Sequence, residues 1–421
     1  MGNAHEIPAN FYGVILIQKA ENNLSPFNLM VIAGSCATAI GLGIARFDFG
    51  AVGRFMIDEA WISTTGMGDL AGLNLGAYLL GSLHHSQIRN RKVVLRMMML
   101  ALLLLPLSFW LEAFESSFLW QAVARICAGF AAGHLISGIP AIALAGLHSR
   151  HRRRGSGLVL AGGGIGALLG ASAIGLFAHH SAMIAWVALA LLSMALALPV
   201  LWLLSKSIQS QSASGQSQSA ESSTDLSAIK PGNRWRVVVL VVGGGLLVGA
   251  GQVPISLYAP IVVAQKFGGA SSLSSDSLAV LGLGSTVGAL TAAFLPRRWP
   301  TSLMLPLVSC IGLLASVLFF FSDEVSIILL ATFLIGVWMW MTATLTYDRL
   351  GEFLPSAEAH RRVWAVMVSL AGCGYACFSF SFAHLASANL NLVLLIGIGV
   401  LVVQLSMELL QRLGSSKAPS Y

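Results

Sequence analysis

The chain has 421 residues, 56% of them hydrophobic and only 10% charged, with mean hydropathy +0.80 and a net charge of +7. A water-soluble globule would carry about 25% charged residues, so this composition excludes one and points to a protein that crosses the bilayer many times. The positive charge lies in short clusters between apolar runs, which is a signal of membrane topology and not a nucleic-acid footprint.

Residues 1–27 hold one short apolar run, Phe11 to Ile17, below the roughly 20 residues needed to span a bilayer. The segment reads as an interfacial helix or a disordered cytoplasmic lead-in, without a signal-peptide or myristoylation pattern. Twelve apolar spans follow, at approximately 28–53, 67–86, 93–111, 118–146, 156–178, 182–204, 236–264, 274–295, 302–321, 325–347, 361–385 and 390–411. Lipid leaves no partner for an unpaired backbone, so each is expected to be a helix. Twenty of the 24 Lys and Arg residues fall at the termini, in alternate loops or in the first turn of the spans adjoining those loops, such as Arg89/Arg91/Lys92 and Arg152/Arg153/Arg154. The positive-inside rule then places both termini in the cytoplasm. The intervening loops carry Asp58, Glu59, Glu112, Glu115, Asp323 and Glu324 instead.

Residues 205–235 are rich in Ser and Gln and read as a flexible cytoplasmic linker. They divide the chain into a six-helix bundle at 28–204 and a second at 236–411, followed by a cytoplasmic tail at 412–421. Two such bundles can rock about a site held between them. The five cysteines lie within apolar runs and read as reduced, small apolar residues.

Arg46, in the outer half of span 1, anchors the functional reading, because a bare guanidinium at that depth costs about 2.5–3.5 kcal/mol on insertion scales. Span 1 runs outward and span 4 inward, so Arg46, Asp48, Asp69 and Arg125 reach one outer layer. Asp48 is two residues from Arg46, about 200° round a helix, so Asp69 is the expected partner of Arg46 while Asp48 faces span 4 or a shielded seam. Such a layer can bind an anionic group or pass a proton; a structural ion pair closing an outer gate is the alternative. Asn74 and Tyr78 form a polar i, i+4 pair in span 2, fit for an interhelical hydrogen bond or substrate contact. In the second half Gln252 and Tyr258 of span 7, with Trp338, Trp340 and Thr342 of span 10, offer an aromatic wall for an apolar or amphipathic substrate, or plain bundle core. His134 reads as a hydrogen-bonded core histidine; His84/His85, His148/His151 and His179/His180 read as interfacial pairs and not metal ligands. No nucleotide loop or catalytic constellation is present, so neither an enzyme nor a cofactor is expected.

Three stretches carry a family likeness: Gly43-Ile-Ala-Arg46-Phe47, the span 2 run from Leu70 to Gly81 with Asn74 and Tyr78, and Arg125-Ile-Cys-Ala-Gly129. With the twelve-span layout they resemble the major facilitator superfamily, in its YbfB/YjiJ-type branch of bacterial transporters. The segment Gly81 to Lys92 lacks the acidic residue usual in that superfamily, span 5 lacks the antiporter proline, and span 7 lacks the branch's Gly-Tyr. The resemblance implies an all-α membrane protein with twelve helices in two bundles. It further implies a monomeric, proton-coupled secondary transporter of a small organic molecule in the bacterial inner membrane, with export slightly favoured over uptake. The rival expectation is a receptor or assembly factor that kept the transporter fold without transporting.

Overall fold

The computed structural model describes residues 29–144, 147, 151–177, 181–213, 229, 231–267, 271–296 and 298–416. The lead-in at 1–27, most of the linker, the end of the tail, and His148, His179 and His180 lie outside the described residues.

Every regular element is a helix. The first half comprises α1 (Leu29–Thr38), a π-helical stretch π1 (Ala39–Phe47), α2 (Phe49–Asp58), α3 (Thr64–Gln87), α4 (Arg91–Glu112), α5 (Phe118–Ala143), α6 (Arg152–Phe177) and α7 (Ala182–Ala213). The second comprises α8 (Pro231–Val241), π2 (Val242–Leu247), α9 (Val248–Phe267), α10 (Ser271–Phe294), α11 (Thr301–Phe321), α12 (Val325–Phe353), α13 (Ala357–Ala388) and α14 (Leu390–Ser416). Since α1, π1 and α2 form one run, as do α8, π2 and α9, the described chain forms twelve helical runs. Among the described residues ten helices are long and apolar enough to cross a membrane, and Ala279–Phe294 of α10 forms a shorter apolar helix.

Several helices outrun the apolar spans: α7 continues to Ala213, α12 to Phe353 and α14 to Ser416. Hydropathy marks where the bilayer ends, but a formed helix extends at the cost of one residue per hydrogen bond and does not stop there. Side chains cap the starts, Ser63 Oγ accepting from Gly66 N at 3.0 Å and Asn90 Oδ1 from Lys92 N at 2.9 Å. Leu103 and Leu107 of α4 and Leu198 and Trp202 of α7 stay exposed, as lipid-facing outer helices require.

The two halves repeat one packing scheme. In the first, α3 lies against α5 with Gly129 facing the Asn74 carbonyl; in the second, α10 lies against α12 with Gly336 facing the Leu281 carbonyl. Likewise π1 runs along α6 while π2 runs along α13. With little hydrophobic drive between helices in lipid, such small-residue contacts provide close van der Waals packing. The bundles meet along α6 with α10 and along α3 with α13.

Candidate functional site

Span 1 is not one uniform helix. Its middle, Ala39–Phe47, is π-helical and carries Arg46 in its last turn, and π segments are rare features that gather at functional sites. The wide turns press against α6, where a Cβ on Gly43 would sit 2.6 Å from the Gly163 carbonyl oxygen and from the Ala167 nitrogen. Glycine is required on both sides of this crossing, because neither backbone can retreat.

Arg46 emerges from that segment toward the second bundle. Its guanidinium carbon lies 4.4 Å from the centroid of Tyr375 in α13 and 5.7 Å from that of Phe47, a cation–π arrangement. Its Nε and Nη2 are shut off from solvent and have no hydrogen-bond partner. Tyr78 lies within electrostatic reach of Arg46 and packs on α13, where a Cβ on Gly372 would come 3.1 Å from the Tyr78 ring. Arg46 and Tyr78 of the first bundle thus meet Tyr375 and Gly372 of the second.

The expected Arg46–Asp69 pair does not form. Asp69 is exposed near the start of α3, about two and a half turns before Tyr78, and among the described residues no carboxylate lies within ion-pair distance of Arg46. Asp48 is buried, but faces α6 and not α5: its carboxylate occupies the space that a side chain at Gly170 would fill, and Oδ2 has no partner. The physical reason is register, since the π turns rotate everything after Ala39 away from the face an ideal helix would give.

Arg125 belongs to a different centre. It is held by Glu112 in a fully buried, side-on pair, Nε to Oε1 at 2.9 Å and Nη2 to Oε2 at 2.8 Å. Phe49 and Trp186 cover it, with ring centroids 4.4 and 5.1 Å from its guanidinium carbon. Glu112 is therefore no loop residue, as its place at the edge of an apolar run had implied. It ends α4 and turns into the bundle because the guanidinium there would otherwise be uncompensated. Asn74 serves the same scaffold, donating from Nδ2 to the Arg125 carbonyl at 2.9 Å.

In the second half Trp338 is packed inside its own bundle against Gly312, whereas Trp340 reaches across to Gly163 of α6. Trp340 thus adjoins the π1–α6 crossing. Gln252 and Thr342 are buried, and Gln252 Oε1, Thr342 Oγ1 and the Trp340 indole nitrogen have no partner. The Tyr258 side chain lies outside the described residues.

The bundles are tied at the end that carries the basic loops. Arg153 of α6 pairs with Asp348 of α12 at 2.7 Å, and Arg361 of α13 donates to the carbonyls of Ile88 and His85 at 2.6 and 3.4 Å. The Trp364 indole donates to the Ile136 carbonyl at 3.2 Å. Arg361 thus satisfies the last carbonyls of α3, the place a cation is favoured, in the very region where the acidic loop residue is missing. Beside it His84, His85 and His134 join, with ring nitrogens 3.0 Å apart for His84–His134 and 3.4 Å for His85–His134. The sequence sets His84/His85 and His134 fifty residues apart; helix pairing unites them. Among the described residues no group of three or more acidic, His or Cys side chains is placed to hold a metal ion. Replacing Arg361 with alanine is expected to loosen this end, so that a single cysteine at Ile88 becomes modified by a membrane-impermeant maleimide at least about tenfold faster, given the 1.5–3 kcal/mol typical of a charged hydrogen bond. Unchanged labelling would remove Arg361 from the closure.

Sequence reasoning missed Tyr375 and the Arg361 contacts. Tyr375 had no local signal, since nothing but its neighbour across the bundle interface distinguishes it from other aromatic residues of span 11.

A family model described as "Uncharacterised MFS-type transporter YbfB" matches residues 38–409, nearly the whole described chain. No curated protein matches. Among solved structures the chain is similar to the human organic anion transporter MFSD10 (TETRAN), with 14% identity and a TM-score of 0.67, covering 90% of this chain and 98% of that one. It is also similar to the major facilitator superfamily proton:xylose symporter XylE bound to 6-bromo-6-deoxy-D-glucose, with 15% identity and a TM-score of 0.66, covering 92% of this chain and 95% of that one. At such identities the likeness speaks for the fold alone, and the fold is the one that the paired bundles display. The family match extends from the start of the π1 segment to the last turns of α14, and by it the chain belongs to the YbfB-type transporters of the major facilitator superfamily.

Proposed function

We propose that this protein moves a small organic molecule across the bacterial inner membrane by alternating access, coupled to protons, with export slightly favoured over uptake and both termini in the cytoplasm. The observation that carries the reading is Arg46, a cation with an unpartnered edge on a π-helical segment, set against Tyr375 of the opposite bundle. A ligand that engages both bundles biases their relative position by the difference between its affinities for the two states. Asp48 is the proton-coupling group in this scheme. Its carboxylate is buried against α6 without a charged partner, where gain or loss of a proton changes the charge that must be accommodated at the π1–α6 crossing. One proton crossing 100 mV supplies about 2.3 kcal/mol, enough to bias two states of similar energy.

The test uses the purified chain in proteoliposomes loaded with a pH-sensitive dye. In the wild type, addition of a compound that raises its melting temperature is expected to start proton movement. In Asp48→Asn that movement is expected to fall at least about tenfold, the amide being a fixed stand-in for the neutral acid, while thermal stabilisation by the compound persists. Proton movement as fast in Asp48→Asn as in the wild type would remove Asp48 from coupling. A wild type that binds compounds but moves neither them nor protons would favour the non-transporting reading.

A further inference from the structure

Two arginines in this chain present the same edge to different surroundings. Arg125 turns Nε and Nη2, the two donors that point the same way, to the Glu112 carboxylate, Nε donating to Oε1 at 2.9 Å and Nη2 lying 2.8 Å from Oε2 as an ion-pair contact. Arg46 turns the same pair of nitrogens into the protein, closed to solvent and without an acceptor. Among the described residues no carboxylate reaches it: Asp69 is exposed, and Asp48 is directed at Gly170. The Arg46 guanidinium carbon meanwhile lies over the Tyr375 ring, 4.4 Å from its centroid. A ring contact satisfies no N–H donor, so the Nε and Nη2 edge remains the part able to receive a ligand.

We infer that the substrate carries a carboxylate, bound side-on by Nε and Nη2 of Arg46 while the Tyr375 ring packs against the guanidinium. This rests on the transport reading and sharpens it, naming the substrate as an organic acid in its anionic form. A planar two-oxygen acceptor matches the spacing of the two donors, as Glu112 does for Arg125. A lysine could replace the charge but not the pair of parallel donors. Because the contact sits where the two bundles meet, an acid held there touches Arg46 of one bundle while lying beside Tyr375 of the other.

The experiment compares acids with their amides on the full-length protein in detergent. Acetate, benzoate, succinate and indole-3-acetate, each beside its primary amide, and inorganic phosphate are titrated while tryptophan fluorescence follows thermal unfolding of the wild type, Arg46→Lys and Tyr375→Phe. At least one acid is expected to raise the melting temperature by several degrees where its amide does not. Its half-saturating concentration is expected to rise at least tenfold in Arg46→Lys and to stay within twofold in Tyr375→Phe, which keeps the ring. The acid–amide comparison needs no variant and stands even if Arg46→Lys fails to fold. The inference is overturned if amides stabilise as well as acids, if no acid stabilises, if phosphate alone stabilises, or if a folded Arg46→Lys keeps the acid's affinity. The acid is then followed in proteoliposomes: an acid that binds selectively but is not moved by a pH gradient overturns transport and leaves the carboxylate site, whereas flux of a neutral compound without acid selectivity does the reverse.

Discussion

Glu112→Ala is expected to lower stability by about 3–5 kcal/mol, because it leaves Arg125 charged and buried with no counter-charge. Both side chains are 1% exposed, so water cannot take over from the carboxylate. The Phe49 and Trp186 rings remain over the guanidinium, but a cation–π contact recovers only about 0.5–2 kcal/mol and was already present. The loss should be read as a fall in the temperature at which half the detergent-solubilised protein still elutes as a monodisperse peak. The double variant Glu112→Leu with Arg125→Met should recover much of it, since apolar replacement of a buried pair is often neutral. If instead the single and double variants are equally unstable, the deficit lies in packing and not in the uncompensated charge. Recovery of folding in the double variant would also leave transport at Arg46 open to measurement without Arg125, which separates the scaffold arginine from the one assigned to the ligand.

Gly166→Leu should be strongly destabilising. A Cβ at this position would collide with the Ala39 carbonyl at the start of the π segment, and backbone on the facing helix cannot rotate away as a side chain can. Overpacking costs about 1–3 kcal/mol where side chains can adjust, so a collision with backbone should reach or pass the top of that range. Gly175→Leu, nine residues later on the same helix, has nothing within 4 Å of the added Cβ and is expected to change stability by less than about 0.5 kcal/mol. Thermal elution profiles of the two variants, compared side by side, measure the difference directly. Similar profiles would mean that π1 and α6 can separate without cost, and that the small-residue crossing is not what holds the π segment against the second helix.

Much of the architecture was legible in one dimension. Membrane helices must satisfy their own backbones and match the bilayer thickness, so hydropathy carried the helical spans, and three short stretches together with that layout carried the family likeness. The depth of Arg46 marked it as unusual for the same reason, since depth along a straight span is nearly a linear count of residues. What a linear count does not carry is azimuth. The π turns between Ala39 and Phe47 shift every later side chain round the axis, so Asp48 meets Gly170 of α6 and the layer expected of Arg46, Asp48, Asp69 and Arg125 breaks apart.

The sequence by itself determined that the chain is a two-bundle membrane protein and that a charge sits deep in its first span. Only the tertiary structure decided which charges are spent on each other. Glu112 reads as a loop acid because hydropathy averages over neighbours, yet it is consumed by Arg125 thirteen residues away in sequence. Arg46 is left with an unpartnered edge and Tyr375 as its neighbour, a pairing 329 positions apart in the chain that nothing but helix packing between the bundles creates. Pairing energies in a low-dielectric interior depend on distances of a few ångströms, and those distances are set by packing, not by order along the chain.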